Sequence, residues 1–249
     1  MKIVAIGGGE IGRPGFPVET TKIDKEIIAL TGKTNPRLLF IPTASSDSES
    51  YYEVVKKHFG KRLGCQTDVL YLIKEKPTKK QIEEKIYNSD IVYVGGGNTA
   101  KLLRYWRKYG LDKILKNAGE KGVILSGVSA GAICWCKYGL SDSRNLNKAD
   151  TNELMRISAL NFLNVLFCPH YDFEPKRQPG LKKVMQKTSG IALALENCTA
   201  LEVIDDKYCI LSSKKTAKAY KVFWKKGQFY KEEIDQEKEM KPFSELIKK

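Results

Sequence analysis

Hydrophobic positions along the chain fall into short continuous apolar runs separated by longer stretches in which apolar residues recur at helical spacing. Lys2–Ile6, Arg37–Ile41, Asp68–Leu72, Ile91–Val94, Leu163–Cys168, Gly190–Leu195 and Thr199–Ile204 are runs short enough for buried strands. Between them, segments 24–30, 51–59, 78–87, 100–109, 111–118 and 176–188 read as amphipathic helices, several opened by a Ser, Thr or Asp suited to an N-cap. Strands alternating with helices predict an α/β class fold, with a mainly parallel sheet covered by helices on both faces. Ala219–Phe223 and Gly227–Tyr230 flank Lys226-Gly227 and predict a C-terminal hairpin. Gly139–Asp150 is polar and reads as a loop. Repeats, linkers and low-complexity segments are absent, so one domain over 1–249 is expected.

Ile124–Val128 is an apolar run that enters Gly127-Val128-Ser129-Ala130-Gly131, a G-x-S-x-G spacing. This spacing suits a nucleophile elbow, a strand-to-helix turn that exposes a serine hydroxyl beside free backbone N–H groups. The plainer reading is a tight glycine turn with an ordinary serine. A serine nucleophile needs a base, and the chain has 2 histidines. His58 lies in a Lys-rich helix and reads as a surface or edge residue. His170 follows a buried strand and Pro169, so it and Ser129 both lie beyond strand C-termini, on the sheet edge where ligands bind in open α/β folds. A carboxylate behind the imidazole would come from Glu196, Asp172 or Asp142, each otherwise a solvated loop residue.

Two glycine runs require an account. Gly95-Gly96-Gly97 follows a strand; it reads as a phosphate cradle, though without the P-loop Lys-Ser/Thr, or as an oxyanion donor. Gly7, Gly9 and Gly12 have G-x-G-x-x-G spacing, but the second strand ends in Pro42 and not in the acidic residue that would hold a ribose.

Val94-Gly95-Gly96-Gly97-Asn98-Thr99, then the elbow around Ser129, then Pro169-His170-Tyr171 together resemble the peptidase E / cyanophycinase family of serine peptidases, over roughly Ile3 to Val203. The resemblance implies a flavodoxin-like three-layer α/β/α sandwich, Ser129 as nucleophile, His170 as general base, and an oxyanion hole from the N–H groups of Gly97 and Ala130. It implies Glu196 as the triad acid, with Asp142 in reserve; Asp172 has no counterpart in it. It also implies substrate contacts at Asn98 and in the segment after His170, where Arg177 can hold a carboxylate better than Lys176. The implied reaction is hydrolysis of a small peptide, dipeptidase-like, through an acyl-enzyme. An esterase or acyltransferase with the same triad, or a non-catalytic ligand-binding protein, are the other readings.

Composition narrows this little further. The net charge of +14 is spread as lysine pairs such as Lys56-Lys57 and Lys214-Lys215, with no arginine stripe, which fits a solvated surface and not a nucleic-acid face. The 6 cysteines show no C-x-x-C or zinc spacing, so neither metal nor cofactor is expected, and they read as small core residues. No apolar run approaches the roughly 20 residues needed to span a bilayer, and no signal-peptide pattern opens the chain, so a cytoplasmic protein with no membrane partner is expected. The expected partner is a small-peptide substrate, and a homodimer is compatible with the sequence.

Overall fold

The computed structural model describes residues 1–143, 154–236 and 239–249. The first half of the chain runs β1 (Lys2–Ile6), α1 (Thr21–Ala29), β2 (Arg37–Ile41), α2 (Glu49–Val55), β3 (Gln66–Val69), α3 (Lys79–Tyr87), β4 (Ile91–Val94), α4 (Thr99–Tyr109), α5 (Leu111–Glu120), β5 (Ile124–Val128) and α6 (Ala130–Ile133). The second half runs β6 (Cys136–Ser141), β7 (Met155–Ser158), β8 (Leu163–Cys168), α7 (Arg177–Gln186), β9 (Ala192–Leu195), β10 (Thr199–Ile204), β11 (Lys207–Ser212), β12 (Ala219–Lys225), β13 (Gln228–Glu233), β14 (Lys241–Pro242) and α8 (Phe243–Leu246).

Among the described residues the strands form two sheets, ordered β14-β11-β10-β1-β5-β4-β2-β3 and β13-β12-β9-β8-β6-β7. The first is parallel from β1 to β3 and antiparallel across β10, β11 and β14. Of its parallel strands, β1, β5, β4 and β2 are buried on both faces, which is why they read as apolar runs, while the edge strand β3 (QTDV) is not. In β1, Ile3 and Ala5 join the cluster holding Leu103 and Trp106 of α4, while Val4 and Ile6 face Ile23 and Ile27 of α1. The same α4 cluster also takes in Phe167, Leu193 and Leu195, so one core lies between the two sheets. The opposite face of the second sheet packs Leu166 and Ala194 on Leu181 and Met185 of α7.

The α/β class and the β12–β13 hairpin agree with the sequence expectation. The first sheet is mainly parallel as expected, and a second sheet accompanies it. β10 pairs antiparallel to β1, with Ile6 opposite Ala200, and so occupies the edge on which β8 and β9 would have extended that sheet. Those two strands pair instead with each other and with β6 and β12. Part of the expected loop at Gly139–Asp150 is strand β6, paired to β8, while 144–150 lie outside the described residues. The chain therefore crosses between sheets at β5-α6-β6, at residues 196–198 between β9 and β10, and twice more around the β12–β13 hairpin, after β11 and before β14.

Candidate active site

Ser129 lies at the first of these crossings. Its backbone sits at φ 57°, ψ −112°, a conformation unusual for a non-glycine residue and expected at the apex of a strand-to-helix elbow. The two flanking glycines are required by contact distances. A Cβ on Gly131 would lie 2.1 Å from the Val94 carbonyl oxygen, and one on Gly127 would lie 2.5 Å from the Gly131 oxygen. The elbow thus packs directly against the end of β4, and the Ser129 N–H donates to the Ile6 carbonyl at 3.1 Å.

His170 arrives from the second sheet, at the end of β8. Its N–H donates to the Gly7 carbonyl at 3.0 Å, and a φ of 55° turns the ring toward the elbow. The Ser129 hydroxyl meets His170 Nε2 at 2.8 Å. The two residues were expected on one sheet edge; they meet instead across the junction of two sheets, with the end of β1 holding both.

The group behind the imidazole is not the expected one. His170 Nδ1 lies 2.8 Å from Asn197 Oδ1. An amide oxygen only accepts, so Nδ1 carries the proton and Nε2 is free to accept from Ser129. Glu196 points elsewhere: its carboxylate accepts the Lys218 N–H at 2.8 Å and the Tyr220 hydroxyl at 3.3 Å. Strand parity explains the swap. Glu196 continues the face of Ala192 and Ala194, which packs with Tyr220 toward α7, while Asn197 continues the face of Leu193 and Leu195. That alternation was the signal in the sequence that separates the two residues. Asp142, the reserve acid, is exposed and makes no hydrogen bond to His170 among the described residues. Asp172 accepts the Asn197 backbone N–H at 2.8 Å.

The N-terminal glycine run also finds its role here. A Cβ on Gly8 would fall 1.9 Å from Asn197 Oδ1 and 2.5 Å from His170 Nδ1, so only glycine leaves room for that bond. Gly8 is a close-approach site beside the imidazole, while Gly9 and Gly12 of the same run line the cleft.

Burial lowers the His170 pKa from the usual imidazole range, and the Arg177 charge lowers it further; the Asn197 hydrogen bond, Glu174 and Asp172 act in the opposite direction. The lowered pKa favours the neutral form of the ring.

A cleft of about 1150 Å³ opens over Ser129 and His170, walled on one side by residues 9–16 and on the other by Ser48, Ser50, Tyr51, Lys57 and their neighbours on α2. Gly96 and Gly97 line its floor, and the Gly96 N–H donates to the Tyr51 hydroxyl at 3.3 Å. The N–H groups of Gly97 and Ala130 donate to no described protein acceptor, so both remain open to a ligand. Glu10 and Arg13 face each other as an ion pair in the cleft wall.

Two expected substrate contacts are taken up by the fold. Asn98 caps α4, accepting the Lys101 N–H at 2.8 Å and donating to the Ser143 carbonyl at 3.4 Å. Arg177 is 5% exposed, and its guanidinium donates to Glu174 at 2.7 Å and to the Leu140 carbonyl at 2.9 Å. Neither lines the cleft. His58 is also not the surface residue expected: it is buried on a π-helical turn, Lys56–Arg62, with Nε2 2.8 Å from Asp24 Oδ2. The cysteines are all free and buried, as anticipated. No helix among the described residues is long and apolar enough to cross a membrane.

The model of peptidase family S51 matches residues 3–211. The uncharacterized peptidase YgaJ of Bacillus subtilis is 37% identical over 225 residues, covering 89% of this chain and 91% of its own. A peptidase from an acI-B1 Actinobacterium superposes with a TM-score of 0.72 at 19% identity, covering 97% of this chain and 96% of the other. A putative peptidase E from Listeria monocytogenes superposes with a TM-score of 0.62 at 20% identity, covering 85% and 98%. With a glycine-flanked serine bonded to a histidine at the foot of an open cleft, and with these relatives, the chain belongs to peptidase family S51 and is a serine-type peptidase.

Proposed function

We propose that the protein hydrolyses small peptides, dipeptides among them, through an acyl-enzyme on Ser129. The observation that carries this reading is the 2.8 Å contact between the Ser129 hydroxyl and His170 Nε2, with His170 Nδ1 held by Asn197 at the same distance. Ser129 attacks the scissile carbonyl as His170 takes its proton. The N–H groups of Gly97 and Ala130 receive the oxyanion, a contribution worth about 10²–10³ in kcat per donor. The imidazolium then protonates the leaving amine, and water, activated by the same ring, releases the acid. Asn197 holds the reactive tautomer without adding a charge. Its neutrality leaves His170 with the low pKa that burial imposes.

Labelling with a fluorophosphonate probe tests the nucleophile without knowledge of the substrate. The wild type should label at Ser129 and Ser129→Ala should not, with both equally folded. A library of dipeptides and longer peptides then identifies the scissile bond. Labelling that persists in Ser129→Ala refutes the assignment, and cleavage of short esters but of no peptide refutes the reaction.

A further inference from the structure

We infer that Asp172 is a positioning residue of this centre: it holds the main chain of Asn197 so that the Asn197 side chain meets His170. The inference rests on the hydrolytic reading above. Asn197 is the middle residue of the crossing between β9 and β10, and its two neighbours are tied by main-chain bonds. The Glu196 N–H donates to the Lys218 carbonyl at 3.1 Å, and the Cys198 N–H donates to the Gly8 carbonyl at 2.9 Å. The Asn197 N–H has Asp172 Oδ1 as its acceptor, at 2.8 Å. His170, at φ 55°, turns the chain so that residues 171–173 fold back toward the crossing. The outcome is a continuous chain from Asp172 through Asn197 and His170 to Ser129, in which all three contacts measure 2.8 Å.

This arrangement divides what one carboxylate does in a serine-histidine-aspartate centre. The amide oxygen of Asn197 sets the tautomer at close range. The negative charge stands one residue further back, where its carboxylate is exposed and well hydrated. A hydrogen bond from a backbone N–H to a carboxylate is charge-assisted, and so holds its geometry better than a neutral one. The charged groups that act on His170 are Asp172 and Glu174, which follow it in the chain, and Arg177, the first residue of α7. Of these, Arg177 and Glu174 are bonded to each other, and Asp172 alone is bonded to the residue that touches the ring.

The test uses the full chain, a fluorophosphonate probe, and the variants Asp172→Ala and Asp172→Asn beside the wild type. Labelling rates at Ser129 are measured from pH 4 to 9, and the His170 ring is titrated by NMR. Asp172→Asn keeps an acceptor oxygen and loses the charge. It should label near the wild-type rate at pH 8, with its acidic limb and the His170 titration moved to lower pH. Asp172→Ala loses both and should label about 10- to 100-fold more slowly at pH 8, the scale expected when a reacting group is displaced. A thermal midpoint near wild type separates that loss from unfolding. Wild-type rates and an unmoved His170 titration in Asp172→Ala overturn the inference, as does equal slowing of both variants with no shift of the acidic limb. A wild-type protein that does not label at all overturns the hydrolytic reading instead, and this inference with it.

Discussion

Replacing Asn197 by aspartate should convert a neutral partner of His170 into a charged one, and the size of the effect follows from the contact distance. Asn197 Oδ1 is 2.8 Å from His170 Nδ1, which puts the centres of a carboxylate and an imidazolium about 4 Å apart. At an effective dielectric of about 20, two unit charges at that distance attract by about 4 kcal/mol. Since one pKa unit corresponds to about 1.36 kcal/mol, the ceiling on the shift is about 3 units upward. Desolvation of the new carboxylate and repulsion from Asp172 oppose it, so a net rise of about 1 to 3 units is expected. The wild-type ring sits below its usual range and is a competent base into mildly acidic solution. In Asn197→Asp the ring stays protonated to higher pH, so the acidic limb of Ser129 labelling moves up. The same shift is read directly from the His170 ring by NMR, where only one other histidine, His58, competes for assignment. A limb that stays in place or moves down refutes the electrostatic account of the site, in which burial beside an uncharged residue 197 keeps the ring neutral.

Three further predictions address stability and the corrected residues. Glu202 is 4% exposed, and burial together with the neighbouring Glu26 charge raises its carboxyl to about 7 from an ordinary 4.5. A raised folded pKa stabilises the fold at low pH and loses that contribution as pH rises from about 4.5 through 7; Glu202→Gln should therefore exceed the wild type by up to about 3 kcal/mol at pH 8 and match it near pH 4.5 in urea unfolding, and a pH-independent difference refutes the account. Gly131→Ala should cost more than about 3 kcal/mol in chemical denaturation and abolish Ser129 labelling, because its Cβ would meet the Val94 oxygen at 2.1 Å; unchanged values in both measurements would show that the elbow yields. Arg177→Ala strips the buried Leu140 carbonyl of its donor and should lower stability by about 1–3 kcal/mol with KM unmoved, whereas a raised KM at unchanged Tm would return Arg177 to the substrate.

Much of the site was legible in the one-dimensional pattern because it depends on local geometry. The elbow at Ser129 follows from glycines placed where any Cβ would strike β4 or the turn itself. His170 follows from the shortage of histidines and from its place at a strand end. The bounds of β1, β2, β4, β8 and β10 agree with the apolar runs because burial on both faces keeps most of their positions apolar, with only single polar residues such as Asn164 and Glu202 among them. β6 and β7 were harder to see: β6 is interrupted by Gly139 and half of it alternates, and β7 is a four-residue edge strand exposed on alternate positions.

What the sequence determined by itself was the set of candidate groups: a serine at an elbow, a histidine at a strand end, and the small residues Gly97 and Ala130 beside them. Those features are legible because small residues and a scarce histidine mark them in the chain, although the contacts that require the glycines, such as Gly131 against the Val94 carbonyl, come from neighbouring strands. Tertiary structure alone decided who stands behind the histidine. That choice depends on β10 taking the edge of β1, which sends β8 and β9 into a second sheet and turns residues 196–198 into the crossing between them. At that crossing one step of strand parity separates Glu196, turned toward Tyr220, from Asn197, turned toward His170. Arg177 and Asn98 follow the same rule. Their charge and polarity suited a ligand, but the fold had nearer partners for them in the Leu140 carbonyl and in the open end of α4.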